Sequence, residues 1–390
     1  MEKYINNITN QVLKFSGTPF YMYDSSSLFS TISKIKKSLP KKSSIFFASM
    51  ANDNTEIWNL LRSNNIKLFA TSVYHVKTAL QNGFSPNEVL FSSPNISDEE
   101  FSFFNKNRIK YTLNSIDQVK QCIRCKKKER VLKVGIRLNI NDFNENGASA
   151  YLGMNSRFGI FKEDFEELMK LCTSNNLVIN GLQIFIGTNV MFHPRFLAFY
   201  NSVFQFAEEL DNLDYIDLGG GFGVPYKYPR KRDFDWHSFS SELSILLSKY
   251  AFLRKINLFF EPGRSLIARS GYFVTKVSEV LERNGKFFII SDSSVSIFPR
   301  PHIYPDAFHF VSVVSKSGKL NRKKIYADIC GNTIYSKDIL AKNIKINMPN
   351  IGDYLVFHDA GAYCYSMRSN FLGVTFPKQY LVSKEKVIEI

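Results

Sequence analysis

The sequence predicts an α/β protein: a (β/α)8 barrel followed by a C-terminal antiparallel β domain. Three observations carry this expectation. Short apolar runs alternate with longer amphipathic stretches from about residue 26 to about residue 265. Eight of those runs have strand length. After residue 265 apolar runs follow one another with little helix between them.

The barrel strands are expected at 44–49 (SIFFAS), 66–71, 88–93, 109–113, 131–139, 180–187, 214–220 and 256–262. Each is a short run rich in aliphatic and aromatic residues, the signature of a strand buried on both faces. Helices are expected between them, for example at 55–65, 73–83, 115–125, 161–176 and 194–210, where apolar residues recur at helical spacing. The second domain takes its strands from 271–282, 286–292, 324–330 and 353–359. An aromatic-rich run, 18-TPFYMYD-24, is expected to join it. This divides the chain into a barrel, 26–265, and a β-sandwich-like unit made of 1–25 and 266–390.

With 390 residues, 44% hydrophobic and 22% charged, the chain is long enough for two packed units. Its formal charge is +15, but the lysines are scattered, and the densest runs, 34–42 and 126–130, look like solvated helix ends or loops. With no zinc-finger spacing or RNP-like motif, nucleic acid is not expected as a partner, and the charge suits an anionic small molecule. Five cysteines, an odd number, argue against a disulfide framework. Cys122 and Cys125 sit at helical spacing, and no metal site is expected. No apolar run approaches a membrane span, so a cytoplasmic protein without membrane contact is the expectation.

In a parallel barrel the chemistry sits at the C-terminal strand ends. The run 217-DLGGGFGVPY-226 places Gly219, Gly220, Gly221 and Gly223 just after a strand, where backbone N–H groups can cradle an anion. An ordinary Gly-rich turn has the same composition. The next strand ends in 259-FFEPGRSL-266. Gly263 and Arg264 extend an anion site, and Glu261 needs a partner, because a buried carboxylate is costly alone. A phosphate beside a basic ring nitrogen describes pyridoxal 5′-phosphate, whose ring withdraws electrons when a carboxylate keeps that nitrogen protonated. Tyr363, in 358-HDAGAYCYSM-367, can add a hydroxyl to the phosphate site, although packing is the plainer role for a tyrosine in so aromatic a chain.

Together, TPFYMYD, NSRFGI (155–160), DLGGGFGVPY, EPGRSL, RPHIYPDAFH (300–309) and GDYLVFHDAGAY (352–363) resemble the fold-type III decarboxylases that use pyridoxal phosphate, the ornithine, diaminopimelate and arginine decarboxylase relatives. The resemblance runs in order from about residue 17 to about 382. It implies an alanine-racemase-like barrel, a β domain and a head-to-tail homodimer with active sites at the subunit interface. It also implies cofactor-binding roles for the glycines, Glu261, Gly263, Arg264 and Tyr363. Arg300, Tyr304 and Tyr335 fall at substrate-binding positions. GLQIFIGTN (181–189), GGGFGVPY and 371-FL-372 are closest to a branch that decarboxylates amino-acid units attached to something larger, as in siderophore pathways.

The departures fall at the reacting positions. The family's first barrel strand ends in Y-A-x-K-A-N, whose lysine carries the cofactor. The matching stretch is 47-FASMAN-52, with Met50 in the lysine's place. A thioether forms no imine and moves no proton. Phe185 occupies the place of a ring-stacking histidine. In 331-GNTIYSKD-338, Ile334 replaces a cysteine acid and Tyr335 its neighbour, while Asp338 keeps register. Loss of one positioned proton donor costs roughly 10²–10⁴ in rate. The expectation is a degenerate site, a pseudoenzyme that binds pyridoxal phosphate or a phosphopyridoxyl amine without a covalent bond. It would pair as a homodimer or as a heterodimer with an active homologue, and take an amine or amino-acid ligand. The alternative is an active decarboxylase of an amino-acid conjugate, in siderophore or polyamine-type biosynthesis, with another lysine reaching in. Lys133, on one strand face with Arg137, is the nearest candidate.

Overall fold

The computed structural model of the protein describes residues 2–126, 131–140, 151–226, 232–304, 307–384 and 386–390. Most of the basic run 126–130 lies outside them, as do Pro305 and Asp306 of the segment 300–309. The chain opens with a helix, Glu2–Leu13, followed by β1 (Phe20–Asp24). Then come β2 (Ser43–Ala48), β3 (Lys67–Ala70), β4 (Val89–Ser92), β5 (Lys110–Leu113), β6 (Leu132–Asn139), β7 (Ile160–Phe161), β8 (Leu177–Gln183), β9 (Tyr215–Asp217) and β10 (Asn257–Phe260). The two-residue β7 hangs on the end of β6. The other eight from β2 onward pair in parallel in the order β2-β3-β4-β5-β6-β8-β9-β10, and β10 returns to β2, Leu258 opposite Ser43. The barrel is therefore closed, with no edge strand.

Local chemistry explains the alternation. The side chains of Asn54, Ser72, Ser97, Ser115 and Asp235 each accept a backbone N–H at the start of the helix that follows. Each such cap is worth about 1 kcal/mol. Along β2, Ile45 and Phe47 face the helices, while Phe46 and Ala48 face the barrel interior, as a period of two requires. The strand expected at 214–220 ends at Asp217, because the glycines leave the ladder.

The barrel interior is filled from below by Tyr215, stacked on Phe259 with centroids 4.7 Å apart. Its ring needs two glycines. A Cβ on Gly181 would lie 2.0 Å from the ring, and one on Gly135 would lie 2.5 Å from the hydroxyl.

The remaining strands are β11 (Gly271–Arg283), β12 (Lys286–Ser291), β13 (Val311–Val314), β14 (Lys324–Cys330), β15 (Ile339–Asn347), β16 (Tyr354–Phe357), β17 (Lys378–Val382) and β18 (Val387–Glu389). With β1 they form one nine-stranded, mostly antiparallel sheet. Two pairings, β12 with β14 and β1 with β17, are parallel. The first half of β11 pairs with β1 and β16, and its second half with β12. The N-terminal helix packs Ile5, Ile8 and Val12 onto this sheet.

The two sheets meet at the turn after β2. Tyr363 N–H donates to the Ala51 carbonyl (2.8 Å), and Ser366 Oγ donates to Met50 O (2.9 Å). Asn52 Nδ2 donates to Gly361 O (3.1 Å) and to Tyr23 Oη (2.9 Å). Arg368 pairs with Asp53 at 2.9 Å.

The packing around Tyr215 makes a prediction. Gly181→Ala should lower the unfolding free energy by about 1–3 kcal/mol, as overpacking does. Gly17→Ala, where a Cβ meets nothing within 4 Å, should leave it unchanged. Urea unfolding of the two variants measures the difference.

Candidate functional site

The C-terminal strand ends surround a cavity of about 280 Å³. Of the residues expected at the site, Met50, Phe185, Gly221, Glu261, Gly263, Arg264, Tyr304 and Tyr363 line it. Gly219, Gly220, Gly223, Arg300, Ile334 and Tyr335 are not among the lining residues.

Met50 sits in a short helical turn, Ser49–Ala51, directly after β2. Its side chain packs on the apolar cluster of Phe46, Ala48 and Phe69 inside the barrel. Ser49 points the other way, with Oγ 2.8 Å from His75 Nδ1. No lysine and no cysteine is among the described residues that line the cavity. Lys133 does not reach it. Its strand carries it to the opposite mouth of the barrel, where Nζ lies 3.1 Å from Asp214 and the side chain is exposed. The notion that Lys133 serves the site is thereby corrected: only Arg137, at the other end of β6, lines the cavity.

The glycine run is demanded by backbone approach. A Cβ on Gly219 (φ +69°) would lie 2.2 Å from Ile184 O, and one on Gly221 (φ +95°) 2.3 Å from Gly187 O. The run is pinned on both sides: Glu261 N–H donates to Gly219 O (2.8 Å), and Val190 N–H to Gly221 O (2.8 Å). Next to it, Arg264 donates from Nη1 to Tyr226 Oη (3.0 Å) and from Nη2 to Thr188 Oγ1 (3.2 Å). Its guanidinium also lies 4.7 Å from the Tyr363 ring centroid. These partners are neutral hydroxyls and rings, so the cation keeps its charge available for an anion. Tyr363 adopts φ +56°, a strained value for a tyrosine, and its N–H bond to Ala51 holds it there.

Two buried carboxyls meet below the cavity, Glu261 lining it and Asp217 behind it. Gln183 Nε2 donates to Glu261 Oε1 at 2.7 Å. Asp217 Oδ1 accepts from Gly219 N–H at 3.0 Å, while its Oδ2 has no ordinary donor. Asp217 lies within hydrogen-bonding reach of Glu261, and two carboxyls in contact need a shared proton. Burial, then the Asp217 charge, pushes Glu261 well above the ordinary carboxyl range, and burial pushes Asp217 up to about 6. Arg137 is the nearby cation; burial lowers its pKa to about 10. It stacks 4.7 Å from the Phe158 centroid and 5.8 Å from that of Phe185, which in turn meets Tyr151 edge-on.

Arg300 is buried, with its guanidinium 3.7 Å from the Tyr226 ring centroid and Nη1 2.8 Å from His309 Nε2. His309 must then accept on Nε2 and donate from Nδ1 to His358 O (2.7 Å). Burial, with Arg300 beside it, lowers its pKa to about 3, so it stays neutral. Ile334 is 98% exposed. Tyr335 stacks edge-on against His302 and Phe371 on the same surface.

Asp217, Gln183, Asn114 and Thr188 were not anticipated as site residues. Asp217 and Gln183 are polar ends of apolar strands, a signal the sequence does carry. Asn114 followed by a serine looks like a helix cap, which hides it.

A closed parallel barrel with an anion cradle after its seventh and eighth strands and a buried acid beside it defines a phosphate-cofactor enzyme fold. The pyridoxal-binding domain of the pyridoxal-dependent decarboxylases matches residues 25–268. The chain belongs to this family, of fold type III, whose cofactor is pyridoxal 5′-phosphate. It is 31% identical to the diaminopimelate decarboxylase of Buchnera aphidicola subsp. Baizongia pistaciae, over 94% of this chain and 88% of that protein. It is 25% identical to the diaminopimelate decarboxylase of Methanothermobacter thermautotrophicus, over 95% and 88%. Its fold is that of Helicobacter pylori diaminopimelate decarboxylase in complex with L-lysine (TM-score 0.88, 22% identity, 98% and 95% covered). It is also that of the Vibrio vulnificus lysine/ornithine decarboxylase in complex with putrescine (TM-score 0.81, 18% identity, 97% of each chain). Among the described residues no helix is long and apolar enough to cross a membrane.

The shared proton makes a pH prediction. Both carboxyls hold protons more tightly in the fold than in the unfolded chain, whose carboxyls titrate near 4. The pair's contribution to stability is therefore full below about pH 4 and is lost as pH rises through about 6. Glu261→Gln should remove the Glu261 share of this loss, so its stability relative to the wild type should rise between pH 4 and 7. Parallel urea-unfolding curves across that range would refute the shared proton.

Proposed function

We propose that this protein is a decarboxylase-family member with a degenerate active site, which binds pyridoxal phosphate or a phosphopyridoxyl amine non-covalently and acts through ligand binding and subunit pairing. The observation that carries this is the cavity rim. Met50 stands at the end of the first barrel strand, in an apolar setting, and no lysine is among the described lining residues. The residues present fit the rest of the cofactor. Arg264, Tyr363, Thr188 and the Gly221 backbone suit its phosphate, Glu261 its ring nitrogen, and Phe185 its ring face. When bound, the cofactor supplies an electron-withdrawing ring. The protein's own groups orient it, and Arg264 neutralises its phosphate. None of them is placed as a lysine or cysteine would be to carry a proton to substrate carbon.

Ile334 and Tyr335 extend this reading. An isoleucine so fully exposed, beside Tyr335, His302 and Phe371, is costly on a free monomer and suits a subunit interface. The second subunit is a copy of this chain or an active homologue. A second reading, an active decarboxylase of an amino-acid conjugate in siderophore or polyamine-type biosynthesis, draws on the relatives named as diaminopimelate decarboxylases.

Borohydride reduction with pyridoxal phosphate, followed by peptide mass spectrometry, separates the two. The expected result is no covalently labelled lysine in the cavity of the wild type. Met50→Lys should become labelled at residue 50, yet release carbon dioxide from diaminopimelate, ornithine or lysine at most at a trace rate, because Ile334 still offers no acid. A labelled lysine in the wild type, together with turnover, would sink the proposal.

A further inference from the structure

The cavity has a wall that the proposed cofactor contacts leave unused. The anion cradle follows β9 and β10, the seventh and eighth barrel strands. Diametrically opposite stand β4 and β5, the third and fourth. Ser92, Ser93 and Asn114 line the cavity there.

Asn114 is fixed in orientation. Its Nδ2 donates to Ser92 Oγ (3.0 Å), Ser93 O (3.1 Å) and, more weakly, Thr112 O (3.4 Å). Carbonyl acceptors on the nitrogen side settle which end of the amide is which. Its backbone N–H is taken by Gln118 Oε1 at 2.7 Å, which locks the residue further. Oδ1 is thus a committed acceptor. It is buried and has no donor among the described residues, on a side chain only 3% exposed. On the neighbouring strand, Arg137 stands beside it: Leu113 pairs with Ile136, and each is one residue earlier. Arg137 Nη2 is buried with no acceptor. Adjacent strands are about 4.8 Å apart. An unpaired acceptor and an unpaired donor therefore stand on adjacent strands of the wall.

Buried groups of this kind are normally paired. One ligand group that pairs both is a carboxamide, which offers an N–H and a C=O together. A carboxylate would suit Arg137 but set lone pairs against Asn114 Oδ1. An ammonium would suit Asn114 but face the Arg137 charge. We propose that Asn114 and Arg137 form a subsite for an uncharged carboxamide or peptide group of the ligand, whose phosphate lies in the opposite cradle. This rests on the non-covalent phosphopyridoxyl reading and narrows it to adducts of amide-bearing amines.

The test is calorimetric and needs no turnover. The probes are pyridoxamine 5′-phosphate and the reduced N-phosphopyridoxyl derivatives of asparagine, glutamine, aspartate, glutamate and lysine. An amide derivative should bind the wild type about tenfold or more tightly than its acid counterpart and than the lysine derivative, the scale of one buried hydrogen bond. In Asn114→Leu only Arg137 is left unpaired, so the preference should pass to the acid derivatives. Equal binding of all derivatives, or a wild-type preference for acid or lysine derivatives, overturns the subsite while leaving the cofactor reading intact. If pyridoxamine 5′-phosphate and every derivative fail to bind, both fall.

Discussion

The turn after β2 is the constraint on which the rest of the molecule depends. Five hydrogen bonds or ion pairs from β1 and residues 361–368 close on Met50, Ala51, Asn52 and Asp53. This clasp joins the barrel to the second sheet. It also sets the cavity rim, because Tyr363 is held in its left-handed conformation by Ala51 and stands next to Gly263 and Arg264. Residue 50 enters the clasp through its backbone carbonyl. The turn can therefore keep its shape whatever side chain stands at residue 50, so the fold tolerates a methionine there.

The cavity floor follows from a second requirement, that a closed barrel fill its own interior. Tyr215 does this from β9, and two residues later the same strand sets Asp217 behind Glu261, beneath the cavity. The period of two places both side chains inward. Gly219 then leaves the strand and donates back to Asp217. Packing, proton sharing and the anion cradle thus descend from consecutive residues of one short strand and its loop.

Much of this was legible in the sequence. Doubly buried strands read as apolar runs, so β2 to β6 and β8 to β10 were found near their places. The glycines and Glu261 declared themselves by being out of character at strand ends. Other features were hidden for physical reasons. Lys133 and Arg137 are equivalent by periodicity, yet four residues of strand separate the two mouths of the barrel, and Asp214 holds the lysine at the wrong one. Asn114 carries the pattern of a helix cap. The helix Glu2–Leu13 had its signal, Ile5, Ile8 and Val12 at helical spacing, in a segment otherwise polar. The strands β13, β15, β17 and β18 are short or interrupted by lysines and asparagines, and the sheet recruits them through tertiary pairing.

Tyr215 has one more consequence. By packing on Phe259 along the barrel axis it closes the floor beneath the cavity among the described residues. A ligand held without a covalent bond, as proposed, would then enter and leave at the rim. Its occupancy would then be a reversible function of its free concentration. A pocket of that kind would behave as a gauge of ligand supply, where a tethered cofactor would be a permanent fitting.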